Sequence, residues 1–206
     1  MRDAIELAQI VIEGGGIAPA TVSASSFPSF GATTVPEMRT PVLTQLTFER
    51  RTVQIMPGRV VVLTTRPLGE DLSPEREAAT AFVENYVGQR AQWRLAVIIQ
   101  LRCLVPDDRQ PEDWLRRLVQ ADSIAEIQAP LPLDVNLEIT FPFAPGRGVV
   151  RIERSRVEPL NALFFLVQFG FDNPTIQNLN ELETYVSEGS ELADKVMALV
   201  QTEVAQ

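Results

Sequence analysis

The chain reads as an α+β domain: a mostly antiparallel, twisted sheet of roughly six to seven strands, with helices packed mainly on one face. Three observations predict it. Apolar and polar residues alternate over Gln92–Leu104 and Leu133–Phe143, the period of a half-buried strand. Proline–glycine turns at Pro57-Gly58 and Pro145-Gly146 join neighbouring strands by connections short enough to demand antiparallel pairing. Between and after these strands lie stretches with helical apolar spacing, which need a sheet face to cover. A half-barrel wrapped around the C-terminal helix, with a cavity between, is the competing architecture.

Ala4 to Glu13 carries both signatures. Ile5, Ala8 and Ile12 suit a helix, whereas Ile10-Val11-Ile12 is a β-branched run that favours a strand. A strand is the preferred assignment, ended by Gly14-Gly15-Gly16, a flexible connector. Ile17 to Pro41 holds prolines at 19, 28, 36 and 41, too many for a helix or a central strand. Phe27 and Phe30 within it need somewhere to dock, so the segment reads as an extended arm. Residues 1–41 are accordingly a strand plus arm, and residues 42–206 a single α+β domain.

Val42 to Phe48, Thr52 to Met56 and Arg59 to Thr65 follow as strands. Ser73 as cap, Pro74 at the first helical position and early Glu75 and Glu77 then start a helix. Its stripe is Ala79, Phe82, Val83, Tyr86 and Val87, and Gly88 closes it. In Gln92 to Leu104, Trp93, Leu95, Val97, Ile99, Leu101 and Cys103 share one face, and its length calls for a bend or bulge. Pro111 to Gln120 is a second helix. Leu133 to Phe143 alternates, and Pro142 marks an edge or a bulge. Pro145-Gly146-Arg147-Gly148 turns the chain into Val149–Arg156.

Pro159 to Phe171 is apolar on both faces: Leu163, Phe165, Val167, Phe169 and Phe171 on one, Ala162, Phe164 and Leu166 on the other. Such a segment is an interior strand covered on both sides, or an interface. Six of the ten phenylalanines fall between Phe141 and Phe171. Leu179, Leu182 and Val186 begin a C-terminal helix, Gly189-Ser190 is expected to break it, and Leu192, Val196, Leu199, Val200 and Val204 form a second stripe. The phrases MPGRVVVL and APGRGVVRI invite a duplication, but the elements that follow them differ in order, which argues against one.

Composition excludes several functions. The net charge of −9 and dispersed arginines disfavour nucleic-acid binding. There is no histidine, the commonest general base and metal ligand, and one lysine, Lys195, against seventeen arginines. No apolar run reaches the ~20 residues of a membrane helix, and the acid-interrupted N-terminus lacks a signal core; a cytoplasmic location is expected. The single Cys103 excludes an internal disulfide and sits on an apolar strand face.

Asp107, Asp108, Glu112 and Asp113 lack the spacing of a calcium loop and read as a solvated helix approach. Ser23, Ser25 and Ser26 have no base, Gly14–Gly16 lacks a phosphate-loop context, and no catalytic, cofactor or metal residue is assigned. Arg94 and Arg102 on one strand, with Asp134 and Glu138 on another, would form cross-strand ion pairs if the strands are neighbours, or a groove with two guanidinium groups for an anion.

Three function classes follow. The leading one is a non-catalytic protein–protein interaction or assembly module, self-associating or bound to another protein. The second is a binding domain for an apolar or anionic small molecule, walled by Phe164, Phe165 and Phe169 and anchored by Arg94 or Arg102. The third is a carboxylate- or metal-dependent enzyme.

Overall fold

The computed structural model describes residues 2–65, 71–87, 92–105, 110–118, 136–143, 146–156 and 160–202. In chain order the strands are β1 (Arg2–Gly14), β2 (Met38–Arg39), β3 (Thr44–Thr47), β4 (Arg51–Met56), β5 (Arg59–Thr65), β6 (Trp93–Leu104), β7 (Leu137–Phe143), β8 (Gly146–Arg154) and β9 (Ala162–Phe171). The helices are α1 (Ser73–Phe82), α2 (Pro111–Leu118), α3 (Ile176–Asn180) and α4 (Leu182–Thr202). The α+β class holds. Among the described residues, nine strands join one antiparallel sheet, ordered β2-β3-β4-β5-β1-β6-β9-β8-β7. The count exceeds the expected six to seven because the N-terminal strand enters the sheet's centre and Met38–Arg39 adds an edge.

The connectivity repeats, contrary to the expectation from the two proline–glycine phrases. A strand (β1), a crossover (the arm), a three-strand meander (β3-β4-β5) and a helix (α1) are followed by a strand (β6), a crossover (α2), a second meander (β7-β8-β9) and helices α3 and α4. In each half the meander's last strand returns to pair with the first strand, and β1 meets β6 at the seam. The matching phrases fall at the β4–β5 and β7–β8 connections, the second hairpin of the first meander and the first hairpin of the second, so they are not equivalent positions of the repeat.

The four described helices pack toward one core. Phe82 of α1, Trp114 of α2, Leu179 of α3 and Val186 of α4 join Ile10, Val97 and Phe165 of the sheet in a single buried cluster. The arm joins it too: Phe27 is buried, with its ring 5.7 Å from Phe30 and 6.2 Å from Phe82. Beneath the arm, Arg51 crosses the Phe30 ring and donates to Glu75 Oε1 at 2.6 Å, and Thr64 Oγ1 donates to the same oxygen. Glu75, expected only to complement a helix dipole, is therefore a buried clamp between α1 and the sheet.

Two glycines are placed by close packing. A Cβ on Gly148 would meet the Phe141 ring at 2.2 Å, so the ring lies over β8 directly opposite its register partner. Arg147 and Gly148 thus belong to β8 rather than to the turn. A Cβ on Gly189 would stand 2.5 Å from Ile99 Cδ1. Gly189 does not break the helix; α4 runs through it, and the missing side chain lets the helix approach the sheet. Ser73 likewise does not cap α1: Leu72 holds the cap position, and Asp71 Oδ1 accepts from both Ser73 N and Oγ. The helix then continues as a π turn over Val83–Val87. Gly16 has φ +90 and takes a tight turn against the Tyr86 carbonyl. Pro142 does lie in an edge strand, β7.

Expectations for Gly88, Asp107, Asp108, Val119, Leu133 to Val135, Pro145, Pro159 and Val204 fall outside the described residues.

Candidate functional site

Because side chains alternate along strands, a sheet whose described helices lie on one side presents a second face. Here the register places Val11 beside Val61 and Ala96, and Gln9 beside Leu63 and Ile98. β9 continues these rows with Gly170 and Gln168, then brings Leu166 beside Gln100 and Phe164 beside Arg102. β8 adds Val149 opposite Gln168 and Arg151 opposite Leu166. Leu7, Leu63, Ile98, Phe164 and Leu166 remain partly exposed on this face.

Charge is arranged around the face rather than through it. From β5 to β8, the row Leu63–Gln9–Ile98–Gln168–Val149 carries none. At one end stand Arg59, Arg94 and Arg147 with Glu13 and Asp172; at the other, Arg102 and Arg151 with Glu6, Glu138 and Glu153. Arg59 lies 3.7 Å from Glu13, Arg94 lies 3.9 Å from Asp172, and Arg102 lies 2.9 Å from Glu6.

The residues singled out from sequence separate. Phe165 and Phe169 are buried on the helix side, Phe169 against Tyr185, whereas Phe164 is on the uncovered side. Arg94 and Arg102 share that side but sit eight residues apart, about 26 Å along β6, so they do not form one groove. β7 is separated from β6 by β9 and β8, so Glu138 pairs in register with Arg151 and does not reach the β6 arginines. Lys195 pairs with Glu191 one turn back on α4, and Ser26 Oγ meets the Tyr86 hydroxyl at 2.7 Å. Glu112 is bonded to Arg154, and Cys103 is buried. Among the described residues, no cluster of three or more His, Cys, Asp or Glu is placed to hold a metal, and no helix is long and apolar enough to cross a membrane.

A depression of about 380 Å³ opens at the arginine end of the face. Its floor is Val11, Ala96, Ile98, Val149 and Gly170, and Arg59, Arg94 and Arg147 stand on its walls. It continues around the strand ends over Gly14 and Trp93, where a second hollow shares Glu13, Arg94 and Asp172 with it. Sequence reasoning missed Arg59, Arg147 and Gly170 as site residues. Gly170, bare within an otherwise bulky strand, was the available signal.

The fold and this face together define an α+β arrangement of two like-connected halves, with one sheet face packed by helices and the other uncovered among the described residues. No protein-family model matches the chain, and comparison with curated proteins finds no match.

Proposed function

We propose that the chain is a non-catalytic protein–protein interaction module that assembles with a second copy of itself through the uncovered sheet face. The observation that carries this is the distribution of charge. An uncharged centre of aliphatic side chains and glutamines within a charged rim is the anatomy of a docking surface, where depletion of charge at the centre is the distinguishing feature. Area supports it. From β4 to β8 the face spans six strands, about 24 Å at ~4.8 Å per strand. With β6 running about 36–40 Å, that is on the order of 900 Å², close to what each partner contributes to a standard interface.

The occupant is a second copy because the two ends of the face complement each other. One end has an excess of arginine and the other an excess of carboxylate, so a two-fold axis lying in the face and running across the strands sets each over its opposite.

Substitution at the centre tests this. Leu166→Glu and Ile98→Glu place a charge on partly exposed positions without entering the helix-side core. Sedimentation velocity is expected to show at least a tenfold weaker self-association for either variant, with an unchanged circular dichroism spectrum. Variants that associate as the parent does would remove this face from the assembly.

A further inference from the structure

The depression at the arginine end makes a separate demand for a ligand. Gly170 lies in an interior strand, where glycine costs stability and contributes no packing. Nothing at that position requires it sterically: a Cβ there would meet only ordinary contacts, the Arg147 carbonyl at 3.7 Å and Gln168 Nε2 at 4.0 Å. This differs from Gly148 and Gly189, which are filled by a ring and a methyl group. Gly170 leaves open space between β6 and β8, and Arg94 and Arg147 rise on either side of it. Their strands are about 10 Å apart, a gap that two arginine side chains can close around one anion.

Neither arginine is well neutralised. Arg94 meets Asp172 only at 3.9 Å, with the two side chains 70% and 93% exposed. Arg147 is exposed and makes no ion pair with a described residue. In a chain of net charge −9, the depression is lined by Arg59, Arg94 and Arg147 against two carboxylates, Glu13 and Asp172, a local reversal of sign over an aliphatic floor. The Gln168 amide, beside Gly170 on the same face, supplies a neutral donor.

From this arrangement we propose that the notch over Gly170 binds an amphipathic small anion. Its carboxylate or phosphate head sits between Arg94 and Arg147, and its apolar body lies along Val11, Ala96, Ile98 and Val149. A volume of about 380 Å³ is within the range of small-ligand pockets, and guanidinium groups suit either head through paired hydrogen bonds. The notch shares Ile98, Val149 and its arginines with the face assigned above to assembly, so a ligand and a second copy compete for it. Probe binding reads the notch and sedimentation reads the assembly, and each can fail without the other.

The test uses 1-anilinonaphthalene-8-sulfonate, an anion on an apolar body, titrated into the full-length protein and followed by fluorescence. Saturable binding is expected, weakened at least tenfold by Arg94→Gln combined with Arg147→Gln, and equally by Gly170→Val, which fills the notch without changing charge. Gly170→Ala, which makes only ordinary contacts, provides a milder variant if the valine perturbs the strand. Arg39→Gln, on the distant arm, should change nothing. Decanoate and decyl phosphate compete next: displacement by the first assigns a carboxylate head, and by the second a phosphate head. The proposal is overturned if neither displaces the probe, or if the arginine and glycine variants bind it as the parent does. Loss of probe binding on Phe164→Ala, with the notch variants unaffected, would also overturn it and locate the probe on the apolar centre instead.

Discussion

At the scale of single residues, Gly189 lies inside α4, and a Cβ there would stand 2.5 Å from Ile99 Cδ1. Gly189 between Glu188 and Ser190 has the appearance of a helix breaker, because glycine costs a helix interior about 1 kcal/mol relative to alanine. Its use emerges only when Ile99 is seen against it. Gly189→Ala should therefore lower stability by about 1–2 kcal/mol despite the better helix propensity, since overpacking outweighs it. Urea unfolding measures the loss. Ile99→Val, which removes the atom 2.5 Å from the added Cβ, should recover most of it in the double variant. Tyr185 makes a second residue-scale prediction. Burial, reinforced by its hydrogen bond to Glu181, pushes its hydroxyl up from 10.0 to about 12. A raised tyrosine pKa favours the neutral form in the fold, so the unfolded chain releases its proton first as pH climbs. The corresponding stability is intact below pH 10 and is lost between pH 10 and about 12. Ultraviolet titration of the phenolate band should show one tyrosine ionising near the upper value, and Tyr185→Phe should remove that step. Arg147 was hidden for a related reason: the proline–glycine turn signature absorbed it, although Gly148 answers to the Phe141 ring rather than to the turn.

At the scale of elements, alternation made β6 and β7 legible, two apolar faces marked β9 as an interior strand, and proline–glycine marked the hairpin between β4 and β5 and the return into β8. β1 was ambiguous for a physical reason. The register slips between Ile5 and Leu7, so Ile5 and Ala8 fall on the core side three residues apart, as they would on a helix. A bulge imitates helical spacing over one turn. Phe27 and Phe30 were correctly suspected of docking, but only the fold shows that their site is this chain's own core. Phe27 is fully buried between Phe30 and Phe82. Phe27→Ala should therefore cost roughly 3–5 kcal/mol, the range for a buried phenylalanine. Chemical denaturation reads this directly. A loss below about 1 kcal/mol would mean that the arm is not part of the cooperative unit. The same docking keeps the arm from the role of a strap reaching to a neighbour, and moves the question of assembly to the sheet.

At the scale of the whole molecule, the repeat explains why β9 carries two apolar faces. Its partner by position in the first half is β5, which likewise buries Val60 and Val62 toward the helices and presents Val61 and Leu63 on the other side. Both strands flank the seam strands β1 and β6, so the uncovered face is built symmetrically from the two halves. Local patterns could not reveal this, because which strands neighbour which is a property of the long crossovers. The central claim is that a second copy covers this face, and light scattering after size exclusion tests it most directly. Over about 1–100 µM, the wild-type protein should elute with a mass near twice 22.9 kDa, and Leu166→Glu should return it to the single-chain value. A wild-type mass of 22.9 kDa throughout that range would contradict the account.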